Sequence, residues 1–149
     1  MRRLSGRMKD ERGFTLPELL VTVLIIGVLA AIGIPEFLGQ QVKAFGASAK
    51  ELAHSAEVAA ETYATDNNGS YVNLTQATIH QYESTIPISP TPGSAYLSAV
   101  TNASATGYAI TITPATGPQT FTLTRSNGMI TRTCTPSTGT GGGCVNGTW

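Results

Sequence analysis

Few residues in this chain are placed to do chemistry. Cys134 and Cys144 are its only cysteines and lie close together near the C-terminus. A lone pair in a short chain reads as a disulfide if the chain is exported, because a metal site would want about four ligands. His54 and His80 are remote from both cysteines, lack a ligand-spaced neighbour and read as ordinary solvated residues. Gly139 to Gly143 is glycine-rich, but it lies between the cysteines and lacks the lysine that a phosphate loop requires. No nucleophile–base pair and no paired carboxylates in a credible pocket emerge, so neither an enzyme nor a metal or cofactor site is expected. That leaves Glu18. An ionisable side chain just inside an apolar run costs a few kcal/mol on insertion scales, so it needs a partner or a task.

The element that holds Glu18 is the chain's most distinctive one. Leu19 to Ile34 contains no charged residue, and residues 14–34 as a helix would cross about 30 Å of hydrocarbon. Arg2, Arg3, Arg7, Lys9 and Arg12 precede it against only Asp10 and Glu11, whereas the chain after Gly13 is mildly acidic. The formal net charge of zero hides this split. A basic leader stays cytoplasmic and directs the rest outward. An acidic, charge-poor body also argues against generic nucleic-acid binding, which needs clustered Lys and Arg. Three readings compete for the apolar run: a secretory signal cut after Ala30, a permanent anchor, or a segment cut before the run. Glu18 separates them, since a plain signal or anchor has no use for it.

Arg12-Gly13-Phe14-Thr15-Leu16-Pro17-Glu18-Leu19-Leu20 resembles the processing motif of type IV prepilins: a glycine, an aromatic, three residues, a glutamate and an apolar helix. The resemblance implies a prepilin peptidase that cuts between Gly13 and Phe14 and methylates the new amino group of Phe14. It also implies that Glu18 pairs with the N-terminal amine of a neighbouring subunit. A carboxylate and an ammonium satisfy each other in a low-dielectric filament core, where either alone would be strongly destabilising, so the pair serves register. Pro17 departs from the commoner aliphatic residue. After cleavage its missing N–H falls among the first helical donors, which have no intrahelical partner anyway.

Beyond Pro35, Leu38, Val42, Phe45, Ala49, Leu52, Ala56, Ala59 and Tyr63 repeat at alternating steps of about four and three, one stripe of an amphipathic helix. Gln41, Lys43, Lys50, Glu51, Glu57 and Glu61 lie off that stripe, and Asp66-Asn67-Asn68-Gly69 should stop the helix. From Phe14 the helix would run about 80 Å. Pro35 removes a hydrogen bond to Ala31 and should kink or loosen it, and Gly27 and Gly33 weaken the same stretch. Many pilins carry a proline at the matching place, and the resemblance implies that Gly27 to Pro35 melts on assembly.

The second half reads as β-structure. Residues 72–94 form a connection with a helical turn near Gln76 to Tyr82. Ala95–Val100, Tyr108–Thr113, Thr120–Thr124 and Met129–Cys134 read as strands, with a turn at Asn127-Gly128. One long helix followed by strands implies an α+β fold, a small antiparallel sheet laid on the amphipathic stripe. Tyr63 to Tyr71 resembles the cluster that closes the long helix of many pilins, and the cysteine-bounded loop resembles their C-terminal region. Sequons at Asn68, Asn73, Asn102 and Asn146 arise easily in so Ser- and Thr-rich a chain.

The resulting organisation is a cleaved leader (1–13), a membrane and filament-core helix (14–37) and a globular head (38–149). The resemblance implies a structural subunit of a homo-oligomeric helical filament serving adhesion, twitching motility or DNA uptake. It would be polymerised from the inner membrane by an assembly platform with a cytoplasmic ATPase. The alternatives are a minor pilin, a pseudopilin of type II secretion, or an ordinary exported or anchored binding domain.

Overall fold

The computed structural model describes residues 13–135 and 141–149. The leader before Gly13 and part of the cysteine-bounded loop therefore lie outside the described residues. The chain divides into two compact units, Met1–Phe37 and Leu38–Trp149. Helix α1 runs over Leu16–Asp66, α2 over Gln76–Tyr82, and four strands follow: β1 Tyr96–Thr101, β2 Gly107–Thr113, β3 Thr120–Ser126 and β4 Met129–Thr135. The strands form one antiparallel meander in the order β1-β2-β3-β4. The α+β architecture and its elements are those the sequence pattern predicts.

Local chemistry sets the boundaries. At the end of α1 the Asn67 side chain donates to the Tyr63 carbonyl at 2.8 Å, and Gly69 N–H donates to the Ala64 carbonyl at 2.7 Å. Gly69 is left-handed there, the conformation a helix C-terminus asks of glycine. Thr75 caps α2, its hydroxyl accepting from Thr78 N–H at 3.2 Å. Asn127 and Gly128 both take positive φ, and Ser126 pairs with Met129, so the β3–β4 hairpin closes on the two-residue turn that Asn-Gly favours. Asn68, Asn73, Asn102 and Asn146 are left-handed as well. Turn geometry thus explains the asparagines that happen to begin sequons.

The core of the second unit lies between α1 and one face of the sheet. Leu97, Ile110, Ile112, Phe121 and Leu123 on the strands, with the ring of Tyr108, meet Ala49, Ala53, Ala56 and Ala60 of α1 in one buried cluster. The buried helix face contains most of the predicted stripe and is wider than it: Ala49, Ala56, Ala59 and Tyr63 are buried and Val42, Phe45 and Leu52 half-buried. Leu38 is 55% exposed, while Ala53 and Ala60, which the stripe omits, are fully buried. The reason is size: the sheet brings the large side chains, so the helix face that fits beneath it is its smallest one. Glu57, placed off the stripe by its charge, is also buried. His80 is half-buried and bonds the Ile86 carbonyl at 2.8 Å, so it closes the α2 connection and is not simply solvated.

Candidate assembly site

In the first unit the helix begins on a side-chain cap. Thr15 precedes the first helical residue, and its carbonyl accepts from Leu19 N–H at 3.2 Å. The Glu18 carboxylate accepts from Thr15 N–H at 2.9 Å and from the Thr15 hydroxyl at 2.7 Å. This is one half of a capping box, a glutamate three residues on satisfying a donor that the helix cannot. The Thr-Leu-Pro-Glu spacing carries that signal, and the sequence reading missed it. Pro17 sits in the first turn, where no N–H is required. Glu18 therefore has a local partner in the isolated chain, through one oxygen.

The rest of the segment buries nothing. From Phe14 to Phe37 the large apolar side chains range from 50% exposed at Ile25 to 83% at Phe14. The helix is long and apolar enough to cross a membrane, with a mean hydropathy of 2.4 over its most apolar stretch. So much exposed apolar surface on one helix has to be covered by lipid or by protein. Gly13 has open space around it, as do Gly27 and Gly33. α1 is helical without a break through Gly27, Gly33 and Pro35.

The second unit is held together by a polar seam that the sequence reading did not find. Glu61 accepts from the Tyr71 hydroxyl at 2.8 Å and the Tyr108 hydroxyl at 3.1 Å, and pairs with Arg125 at 3.1 Å. One turn earlier Glu57 pairs with Arg132 at 3.4 Å and with His54 at 3.3 Å. Arg125 stacks on Tyr71 and Arg132 on Trp149. Burial, and then the Glu61 carboxylate, pushes the Tyr108 phenol far above the usual tyrosine range. The charged residues of β3 and β4 thus turn toward the helix. Their only sequence signal is that Arg125 and Arg132 share strand parity with buried residues.

Cys134 and Cys144 form a disulfide, and both are buried. The Lys50 ammonium donates to the Gly143 carbonyl at 2.7 Å and lies over the Phe121 ring. Gly46 faces the Gly142 backbone so closely that an added Cβ would collide with it. Residues 142–144 are therefore tied to β4 by the disulfide and to α1 by a charged hydrogen bond and a side-chain-free contact. Among the described residues no group of three or more His, Cys, Asp or Glu is arranged to hold a metal.

The comparisons with known proteins follow the same division. Residues 8–34 match the prokaryotic N-terminal methylation motif. Over 122 residues, 82% of this chain and 88% of the relative, the chain is 32% identical to the type IV wide pilus major component of Thermus thermophilus. It is 41% identical over 58 residues to type II secretion system core protein G of Pectobacterium carotovorum, covering 39% of this chain and 37% of that protein. The type IV major pilin protein of Myxococcus xanthus is 48% identical over 48 residues, 32% of this chain and 22% of its own length. The chain thus spans well under half of two of these relatives and nearly all of the third. No solved structure shows significant similarity to it. A motif at the start of the apolar helix, a helix-on-sheet head and a nearly full-length match together place this chain in the type IV pilin and pseudopilin family.

Proposed function

We propose that the chain is a structural subunit of a type IV pilus, made as a membrane-anchored precursor and polymerised through α1. Family membership brings filament assembly and prepilin-peptidase processing in general terms; the choice of pilus over secretion pseudopilus is finer. It rests on one observation, that the similarity to a pilus major component extends over 82% of the chain, head included. The matches to secretion core protein G cover 39% to 42% of it.

In this reading the peptidase cuts between Gly13 and Phe14 and methylates Phe14. Gly13, with no side chain and open space around it, gives the enzyme access to backbone. The processed subunit then waits in the inner membrane, N-terminus inside, until a platform with a cytoplasmic ATPase extracts it. On assembly the Glu18 carboxylate keeps its bond to Thr15 and offers its second oxygen to the Phe14 amine of a neighbour. Gly27, Gly33 and Pro35 supply the stretch that melts, because Pro35 has no N–H for the Ala31 carbonyl and the glycines weaken the turns before it. The filament would serve adhesion, twitching motility or DNA uptake.

Intact-mass and N-terminal peptide spectrometry on filaments sheared from cells tests the processing. A chain starting at Phe14 with one added methyl supports it; one starting after Ala30, or uncut, sinks it. Deletion of the gene separates the two filament types: loss of surface filaments with secretion intact supports a pilus, the reverse a pseudopilus. Continuous helical density from Gly27 to Pro35 in a filament map would overturn the melting step.

A further inference from the structure

Three asparagine–glycine pairs occur in the chain: Asn68-Gly69, Asn127-Gly128 and Asn146-Gly147. In such a pair the glycine backbone nitrogen can attack the asparagine side-chain amide, because the glycine has no Cβ to hinder the approach. The local chemistry is the same at all three, and all three asparagines are exposed. Backbone conformation does not separate them either, since φ is 56°, 49° and 50° at Asn68, Asn127 and Asn146. What differs is how the fold holds each glycine.

Gly69 N–H donates to the Ala64 carbonyl at 2.7 Å, in the cap that ends α1. Attack needs that nitrogen without its proton and turned toward the side chain, so the cap must open first. Gly147 lies in a two-residue turn that Val145 and Thr148 close with two backbone bonds of 3.0 Å. Its nitrogen is unbonded among the described residues, but its carbonyl accepts from Cys134 N–H at 2.9 Å, which ties it to β4. Gly128 is the least restrained. It is exposed at the tip of the β3–β4 hairpin, with no atom within 4 Å of where a Cβ would stand. Among the described residues neither its N–H nor its carbonyl makes a backbone hydrogen bond. Asn127 is anchored through its own N–H, which donates to the Thr106 carbonyl at 3.1 Å and takes no part in the attack.

We propose that Asn127 is a deamidation site, that Asn146 reacts more slowly, and that the α1 cap protects Asn68. The Gly128 nitrogen, its proton taken by hydroxide, bonds to Asn127 Cγ. The bond from Cγ to the side-chain nitrogen breaks, and ammonia leaves with a proton from water. Water then opens the succinimide. Breaking the new bond to Cγ gives aspartate; breaking the original peptide bond gives isoaspartate, whose backbone runs through the side chain. Either product puts a carboxylate at the hairpin tip, and isoaspartate also adds a backbone carbon to a turn that closes with two residues. The reaction consumes only water and belongs to the folded head, so it is independent of whether that head serves a pilus or a secretion pseudopilus.

The test is to age the purified full chain in detergent at mildly alkaline pH and follow each site by peptide mass spectrometry against a zero-time digest. Trypsin cutting after Arg125 and Arg132 releases a peptide with Asn127 as its one asparagine, and electron-transfer fragmentation separates aspartate from isoaspartate. In the folded chain Asn127 should react at least about fivefold faster than Asn68, the factor that one net hydrogen bond is worth, with Asn146 between them. In the reduced chain in concentrated urea the three rates should converge to within about twofold, because local structure alone sets the difference. Equal rates at Asn127 and Asn68 in the folded chain overturn the inference, as does Asn146 reacting ahead of Asn127. A folded-state ratio that persists unchanged in urea overturns it too, since neighbouring sequence would then be the cause.

Discussion

Glu61→Ala should be the most damaging single change on the helix face of the head, and its cost can be worked from the contacts. The carboxylate serves Tyr108, Tyr71 and Arg125 together. Tyr108 is only 1% exposed, so its hydroxyl has nowhere else to donate, and an unsatisfied buried donor costs about 1–3 kcal/mol. The Arg125 pair adds little, because its side chains are 25% and 38% exposed and solvent screens them; about 0.5 kcal/mol is a fair share. With Tyr71 the total is about 3 kcal/mol, or a fall in Tm of about 12 °C at about 4 °C per kcal/mol for a head of this size. Thermal unfolding of the full chain in detergent, followed by near-ultraviolet circular dichroism from the buried tyrosines, reads it. The decisive comparison is the cycle with Tyr108→Phe, where the coupling should be about 1.5 kcal/mol. Coupling within about 0.5 kcal/mol of zero would show that the seam is ornamental and that shape alone fixes helix to sheet.

Alkaline pH should expose the same seam. The Tyr108 phenol is raised above its unfolded value, so its contribution is complete below about pH 10 and fades as the unfolded chain begins to release that proton. A pH series of melts should show the loss, and Tyr108→Phe should flatten it. Gly46→Ala should destabilise by about 1–3 kcal/mol, although alanine is the better helix former by about 0.5–1 kcal/mol, because the new methyl collides with the Gly142 backbone; denaturant melts decide the sign. Replacing Cys134 and Cys144 by serine should cost about 2–3 kcal/mol on the chain-entropy model and raise hydrogen exchange first in residues 141–149. Glu18→Gln should leave cleavage at Gly13 intact but lower incorporation into filaments, read by the ratio of processed membrane-bound chain to sheared chain.

The N-terminal third of this protein was legible without coordinates because its signals are local. Glycine, aromatic and glutamate stand at fixed spacing before an uncharged run, and hydropathy summed along a helix needs no partner to be read. The strands were legible for the same reason: period-two alternation and an Asn-Gly turn are properties of neighbours in sequence. The cap that Glu18 makes on Thr15 was equally local and was overlooked, the glutamate having been given a single role.

The stripe marked the buried face of α1, and the tertiary structure decided how wide that face is and where it ends. Periodicity marks the largest apolar residues, but packing is a match of volumes. A sheet carrying Phe121, Tyr108 and several isoleucines takes the alanine face and leaves Leu38 outside. Glu57 and Glu61 looked like solvated charges because their partners, Arg132 and Arg125, lie far along the chain, where no short window could connect them. The two arginines sit on the parity that faces the helix, and the strand register converts that parity into an ion-paired interior and a neutral threonine exterior. Sequence spacing determined which residues share a face; the fold decided what that face meets.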